Sequence, residues 1–143
     1  MSMTNNVYII DLIESIERLH YKYRTEFGIQ LAPHGVTPTE ASLLLLLASS
    51  ETAPSLKEIG AAQTADTPPS RLLRSLRDRK LVRQTRDKLD ERIWRFTLTA
   101  QGKRMADVVQ KCKVDLAKQW GRDLSKGSLG PTVKLLRQLS TGL

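Results

Sequence analysis

The spacing of apolar residues along the chain predicts helices at both ends and a compact helical and hairpin region between them. From about Asn5 to Glu26, apolar side chains recur every three or four residues, a spacing typical of a helix that packs on another helix. These side chains are Ile9, Leu12, Ile16, Leu19 and Tyr23. The partner helix lies either in the same chain or in a second copy. The segment from Gly28 to Gly35, which contains Pro33, is predicted to break this first helix.

A second helix is predicted to start at Thr37, because Thr37 and Glu40 form a capping box and Pro38 stands at the first helical position. The following residues, 41–48, are apolar almost all round, which indicates a central buried helix with a structural role. The leucines at 43–47 are too few to span a bilayer, and the N-terminus shows no secretory leader pattern. We therefore expect a cytoplasmic protein.

The stretch 55–99 carries the most informative pattern. Ser55 and Glu58 are spaced as a capping box for a short helix, with Leu56 and Ile59 on its buried side. Another helix is predicted from about Pro68 to Arg79, with Thr67 as N-cap and prolines in its first turn. On this second helix Leu72, Leu73 and Leu76 share one face, whereas Thr67, Arg71 and Arg74 point the opposite way and Ser70 lies at the margin.

A helix with such a cationic face fits the DNA major groove, where arginine bonds the O6 and N7 atoms of guanine. A solvated surface face is the alternative interpretation. The residues that follow are predicted to form a hairpin with strands at 81–86 and 92–98, because Trp94, Phe96 and Leu98 alternate with Ile93, Arg95 and Thr97. The loop 87–91 is too polar for a core.

Within this hairpin, Asp90 precedes Arg92 by two residues. Its carboxylate is placed to hold the guanidinium extended, an arrangement suited to insertion into a narrow minor groove. A local surface ion pair is the alternative, with a contribution of about 0–1 kcal/mol. Two short helices followed by a charged hairpin predict a mainly α fold with a small β-hairpin wing, the winged helix-turn-helix.

At these residues the chain resembles the MarR family of transcriptional regulators. The resemblance covers most of the chain and is carried by the helix run 69–76, the strand start Leu81-Val82, the wing element 90–92, and the run 98–102, which reads LTAQG. It implies a homodimeric winged-helix repressor, often released from DNA by a small aromatic or phenolic ligand or by thiol oxidation.

Two positions depart from the family pattern. Lys80 replaces the glycine that usually follows the recognition helix, so this residue either avoids a left-handed conformation or costs roughly 1–2 kcal/mol in adopting one. Gln84 replaces the arginine that usually ends the first wing strand, although Arg83 and Arg86 flank it. Both departures affect the expected geometry of the wing.

After the hairpin, Thr99 is predicted to cap a long helix that reaches about Leu124. Its apolar stripe consists of Met105, Val109, Cys112, Leu116 and Trp120. A last short helix is predicted to start at Pro131 and carries Val133, Leu136 and Leu139. We expect three regions: an N-terminal dimerisation helix and linker at 1–36, a winged helix-turn-helix DNA-binding domain at 37–99, and C-terminal dimerisation helices at 100–143.

The charge distribution favours a polyanionic partner. The chain has 23 lysine and arginine residues against 15 acidic ones, and within 64–104 there are 12 against 5. Almost all of the excess positive charge therefore lies on the predicted recognition helix and wing. We expect double-stranded DNA with a palindromic operator as the partner of a homodimer. The predicted DNA-binding residues are Thr67, Ser70, Arg71, Arg74, Arg86, Lys88, Asp90 and Arg92.

The resemblance also implies an effector crevice between the dimerisation helices and the DNA-binding lobe. Tyr21, Tyr23, His34 and Trp120 are the residues expected to line it, and packing in the core or interface is their alternative role. The single cysteine, Cys112, excludes an intrachain disulfide. It is either a redox switch or a small buried hydrophobe.

An enzyme is the first rival class. His20 and His34 have no cysteine or serine partner at a meaningful spacing, and the sequence has no glycine-rich phosphate loop. We therefore expect no catalysis, no cofactor and no metal site. A winged-helix protein–protein adaptor is the second rival, since it would use the same basic face on an acidic partner.

Overall fold

The computed structural model describes residues 3–63 and 66–141, which divide into two compact units at Cys112. The first unit holds four helices and a hairpin: α1 (Met3–Leu31), α2 (Pro38–Ser49), α3 (Leu56–Ala62), α4 (Pro69–Asp78), β1 (Val82–Arg86) and β2 (Trp94–Leu98). Helix α5 (Ala100–Gly121) begins in the first unit and ends in the second, which also contains α6 (Lys126–Ser140). The predicted fold class is confirmed. None of the helices in the described ranges is long and apolar enough to cross a membrane.

Helix α1 continues past its predicted end near Glu26, so the break lies within the predicted segment Gly28 to Gly35 but comes after Gly28. The helix continues to Leu31 and is followed by a short 3-10 turn, Ala32–His34. Phe27 and Leu31 lie one turn apart and are both completely buried. Their packing outweighs the roughly 1 kcal/mol by which a glycine weakens a helix interior.

Helix α2 is the central element of the first unit, as predicted. Its capping box is present, because the Thr37 hydroxyl accepts from Glu40 N at 3.2 Å and Glu40 Oε1 accepts from Thr37 N at 3.0 Å. The buried side chains of α2 pack in a core drawn from every element of the unit. This core includes Phe27, Leu31, Leu43, Leu44, Leu47, Ile59, Leu73, Leu76, Leu81, Phe96 and Val109.

Helix α3 is capped by Ser55, whose hydroxyl accepts from Glu58 N at 3.2 Å. The reciprocal half of the predicted box is missing, because the Glu58 carboxylate binds the Ser55 hydroxyl and the Arg95 guanidinium instead. Ile59 is fully buried, but the prediction for Leu56 is wrong, since this residue is 43% exposed. Leu56 is the first residue of the helix, and a helical side chain leans toward the N-terminus, here beyond the core.

Helix α4 ends in a left-handed turn at Lys80. Its φ is 61°, and the turn is a Schellman motif in which Leu81 N donates to Leu76 O at 2.9 Å and Lys80 N donates to Arg77 O at 2.8 Å. The Thr99 hydroxyl also donates to Lys80 O at 2.7 Å. Of the two alternatives for Lys80, the structure therefore shows the left-handed one, with tertiary contacts that compensate for its strain.

The hairpin pairs β1 with β2 in antiparallel register, with Val82 opposite Leu98 and Gln84 opposite Phe96. Phe96 and Leu98 are buried as the alternation predicted, whereas Trp94 is 38% exposed. A further link ties β2 to the segment before α3, because Phe96 N donates to Pro54 O at 3.0 Å. The hairpin is thereby fixed to the helical part of the unit.

Helix α5 begins where the sequence predicted, with the Thr99 hydroxyl accepting from Gly102 N at 3.0 Å. Gly102 is required at this position because a β-carbon there would lie 1.9 Å from Leu81 O. The carbonyl of Leu81 also accepts from Thr99 N at 3.1 Å. The start of α5 therefore packs directly on the turn that follows α4.

In the second unit, two predicted helix ends are wrong. Helix α5 ends at Gly121 rather than near Leu124, since glycine favours helix termination. Helix α6 begins at Lys126, so Pro131 is its sixth residue rather than its first. A proline this close to the helix start removes a single hydrogen bond, and the preceding turn still forms. No residue of α6 is buried.

Candidate nucleic-acid interface

Helix α4 presents the cationic face that the sequence predicted. Arg71 and Arg74 are exposed, as is Ser70 at the first turn, while the leucines of the opposite face are buried. Neither arginine is within ion-pair distance of an acidic group in residues 3–63 or 66–141. Both guanidinium groups are therefore available for an external partner.

The predicted capping role of Thr67 is wrong. The N-cap of α4 is Pro68, with ψ at 136°, and no side chain caps this end of the helix. The residue before a proline disfavours the helical region, and Pro68 precedes Pro69, so the helix starts one residue later. Thr67 is half-buried and lies in the segment between α3 and α4. Its predicted contact with DNA stays a prediction.

A buried carboxylate holds α4 against α2. Glu40 is 8% exposed. Its Oε2 atom accepts from the Ser75 hydroxyl at 3.1 Å and lies 3.5 Å from Arg79 Nη1. Because Glu40 Oε1 is also bound to the backbone of Thr37, its carboxylate links the start of α2 to Ser75 of α4 and to Arg79, the C-cap residue of α4. This link fixes the direction of the cationic face relative to the core.

In the wing, the predicted pairing of Asp90 with Arg92 is confirmed. Asp90 Oδ1 accepts from Arg92 Nε at 3.1 Å and from its backbone N at 3.0 Å, and Oδ2 accepts from Nη2 at 3.1 Å. This bidentate contact lowers the pKa of Asp90 and raises the pKa of Arg92. The Arg92 side chain nevertheless remains 90% exposed, so it is oriented without being covered.

The other two predicted wing cations, Arg86 and Lys88, differ in their surroundings. Arg86 donates from Nη1 to Glu91 O at 2.7 Å, and its guanidinium carbon lies 4.4 Å from the centre of the Trp94 ring. These contacts close the base of the wing loop and keep the charge of Arg86 at its surface. Lys88 is exposed near the tip of the loop.

Sequence reasoning missed the residue that organises the wing loop, Asp87. Its Oδ2 atom accepts from Leu89 N at 3.0 Å and Asp90 N at 2.9 Å, and its Oδ1 atom accepts from Arg95 Nε at 2.6 Å. These bonds, the one from Arg95 above all, hold the pKa of Asp87 below its usual value. An aspartate at the start of a polar loop is a recognisable turn signal. The role of Arg95 has no such local signal, because one of its partners is 37 residues away.

Of the four predicted effector residues, Tyr23 lines a cavity. The cavity has a volume of about 580 Å³ and lies among α1, α2 and the segment between α3 and α4. Its lining consists of His20, Tyr23, Arg24, Pro38, Thr39, Ser42, Leu45, Leu46, Ser49, Ala62, Gln63, Asp66 and Thr67. Tyr21 is 75% exposed and His34 is also exposed, and neither lines it. Trp120 is half-buried in the second unit.

Tyr23 stacks at an angle on Phe27, with ring centres 5.3 Å apart, and burial raises the pKa of its phenol. The Oε1 atom of Gln63 is buried and has no hydrogen-bond partner among the described residues. Helix α2 therefore contributes both apolar and hydroxyl side chains to the cavity, while Arg24 and Asp66 add charge and Gln63 adds an unsatisfied polar atom. In the described part of the chain, no cluster of histidine, cysteine or acidic side chains is arranged to hold a metal ion.

A helix-turn-helix whose second helix exposes arginines, followed by a hairpin that holds a further arginine outward, defines a winged-helix nucleic-acid-binding unit. The family model described as "winged helix DNA-binding domain" matches residues 36–102. These residues match that family's model, and the chain as a whole has the fold of the MarR-type transcription regulators. The fold that the resemblance implied is thereby confirmed.

Three solved structures illustrate the likeness of fold. A putative MarR-like transcription regulator from Bacillus cereus has a TM-score of 0.80 at 15% identity, over 99% of each chain. MepR of S. aureus, in complex with DNA, has a TM-score of 0.77 at 19% identity, over 100% of this chain and 99% of MepR. CouR of Rhodococcus jostii, bound to p-coumaroyl-CoA, has a TM-score of 0.81 at 19% identity, over 93% of this chain and 94% of CouR. No curated protein matches the sequence.

Proposed function

We propose that this protein is a sequence-specific, double-stranded DNA-binding transcription regulator, a repressor that binds a palindromic operator as a homodimer. The observation that carries this proposal is the exposed arginine face of α4 beside a wing arginine that Asp90 holds outward. A basic helix alone is compatible with many partners. Here Glu40 holds the basic helix against the core, and Asp90 orients the arginine of the wing that follows. This combination is typical of a protein that reads duplex DNA at two grooves.

The position of each exposed side chain suggests which part of the DNA it contacts. Arg71 and Arg74 read base edges in the major groove, and Ser70, exposed at the first turn of α4, contacts the backbone or a base. Arg92 enters the minor groove or binds its phosphates, while Lys88 adds charge near the loop tip. Asp90 contributes by orienting Arg92 rather than by touching DNA.

The homodimer is supported by apolar side chains that the single chain leaves exposed. On α1 these are Val7, Tyr8, Ile9, Ile10, Ile13, Ile16 and Leu19, with exposures of 41–69%. On α6 they are Leu129, Val133, Leu135 and Leu139, with exposures of 40–56%. Apolar surface of this extent marks an interaction site, and a second copy of the chain places two α4 helices on successive major-groove turns.

Selection from a random duplex pool at two salt concentrations tests the proposal. We expect enrichment of an inverted repeat whose half-sites are centred about 10 base pairs apart, and an affinity that falls as salt rises. The same chain should show no comparable affinity for acidic proteins. Recovery of no common sequence, together with salt-sensitive binding to an acidic protein, would instead favour the adaptor.

Charge substitutions on α1 test the dimer separately. They are placed in the α1 seam, the row of apolar residues Ile9, Leu12, Ile16, Leu19 and Tyr23. Ile9→Glu with Ile16→Glu should convert the protein to a monomer in sedimentation and abolish tight binding to the full inverted repeat. Tyr21→Glu is the matched control, because this residue is 75% exposed and lies outside the seam. An Ile9→Glu, Ile16→Glu protein that remains dimeric would contradict this assignment.

We further propose that the cavity beside Tyr23 receives a small aromatic effector that releases the protein from DNA. The volume of about 580 Å³ suits such a ligand, and the cavity wall includes the segment that leads into α4. A panel of hydroxylated benzoates should include compounds that weaken operator binding. Leu46→Trp, which fills the cavity, should retain DNA binding and lose this response. Release that persists in Leu46→Trp would place the effector elsewhere.

The alternative trigger is oxidation of Cys112, which is half-buried. If oxidant weakens operator binding by the wild type and not by Cys112→Ser, thiol oxidation is the signal. An equal response in both proteins, or none in either, removes Cys112 from the account.

A further inference from the structure

Besides the backbone bond from Phe96 N to Pro54 O, the side chain of Arg95 on β2 fastens the wing to the helical part of the first unit. Its Nε atom donates to Asp87 Oδ1 at 2.6 Å, while Nη1 donates to Glu58 Oε1 at 3.2 Å and to Ala53 O at 3.0 Å. The guanidinium thus joins the wing loop to the first turn of α3 and to the segment before it. The side chain of Arg95 is 29% exposed, against 90% for Arg92, so Arg95 is largely covered whereas Arg92 faces solvent.

The contacts of Arg95 continue through Asp87 to Arg92. The carboxylate of Asp87 binds Arg95 through one oxygen and the amides of Leu89 and Asp90 through the other. Asp90 in turn holds Arg92 by its backbone amide and both sides of its guanidinium. An uninterrupted series of hydrogen bonds therefore runs from α3 to the exposed end of Arg92.

Removing Arg95 would leave the loop tied to the domain mainly through the hairpin ladder. Leu89 at the loop tip is 98% exposed and contributes almost no packing. The position of the tip therefore depends on polar contacts, and those of Arg95 reach the helical core of the unit. Lysine at this position would keep the charge, but its single ammonium group lacks the planar fork that binds several acceptors in fixed directions.

We propose that Arg95 is a positioning residue for Arg92, which fixes where the wing arginine meets DNA without touching DNA itself. This inference rests on the proposed function, since it assumes that Arg92 contacts the operator. A positioning role for Arg95 differs from a general contribution of Arg95 to wing stability in one respect. Loss of Arg95 should weaken DNA binding only as long as Arg92 is present to be misplaced.

A double-mutant cycle on a selected operator tests this dependence. We expect Arg92→Ala to weaken binding about tenfold and Arg95→Gln about fivefold, but Arg95→Gln to add less than about twofold in the Arg92→Ala background. Arg95→Lys should fall between wild type and Arg95→Gln. The matched control is Arg83→Gln, which removes one charge from an exposed position of the same hairpin, opposite Thr97. Its effect should be equal in both backgrounds.

Amide hydrogen exchange in the absence of DNA separates the inference from the proposed function. In Arg95→Gln the amides of Leu89 and Asp90 should exchange at least about tenfold faster than in wild type, while Arg83→Gln leaves them unchanged. Unchanged exchange in Arg95→Gln, or equal effects of this substitution in both cycle backgrounds, overturns the inference. Faster exchange combined with no effect of Arg92→Ala on binding would instead refute the proposed wing contact.

Discussion

Lys80 is a position at which a single substitution should stabilise the protein. A residue with a β-carbon in the left-handed region costs roughly 1–2 kcal/mol, and Lys80 has φ at 61° with its side chain exposed. Glycine removes this strain but adds roughly 0.5–1 kcal/mol of backbone entropy to the unfolded chain. Lys80→Gly should therefore raise the free energy of unfolding by about 0.5–1 kcal/mol. The Schellman hydrogen bonds and the contact of Lys80 O with Thr99 remain available to glycine.

Urea denaturation at equal protein concentration measures this change, since an oligomer gains stability with concentration. Lys80→Ala is the control, because it loses the same charge while keeping the β-carbon. It should stay within about 0.5 kcal/mol of wild type, as exposed substitutions usually do. If Lys80→Gly is no more stable than Lys80→Ala, the left-handed turn is not a source of strain.

Two further predictions concern the contacts around this turn and in the wing. Gly102→Ala should destabilise the protein by about 1–3 kcal/mol in the same assay, because its β-carbon would meet the carbonyl oxygen of Leu81 at 1.9 Å. The second prediction concerns the stability of the protein in acid. Since hydrogen bonds lower the pKa of Asp87 in the folded state, its contribution to stability is complete above about pH 5 and is lost as the pH falls below about 4. Asp87→Asn should flatten the plot of unfolding free energy against pH in this range. An unchanged plot would contradict the stabilising role of the Asp87 carboxylate.

The parts of the fold that the sequence predicted are those with local causes. The capping residues Thr37 and Thr99 act within three residues of themselves, and the pairing of Asp90 with Arg92 spans two. Each was recoverable because the chemistry of a short segment determines its own geometry. The alternation of β2 likewise identified Phe96 as buried.

The errors arose where another element decides the outcome. Gly28 reads as a helix breaker, yet the burial of Phe27 and Leu31 carries α1 past it. Glu58 reads as half of a capping box, yet Arg95 competes for its carboxylate from 37 residues away. The contact of Glu40 with Ser75 spans 35 residues and has no signal in either segment. Such pairings require the tertiary arrangement.

The central claim is that the exposed arginines of α4 read bases, and a comparison of variants on the selected operator tests it most directly. Affinities of wild type, Arg71→Ala and Arg74→Ala should be measured on the operator and on its single-base variants, at two salt concentrations and after confirming that each variant is folded. We predict that each substitution costs about 1–3 kcal/mol on the operator and removes discrimination at one base position, with the fold intact. Unchanged affinity and selectivity in both folded variants would contradict a major-groove role for α4.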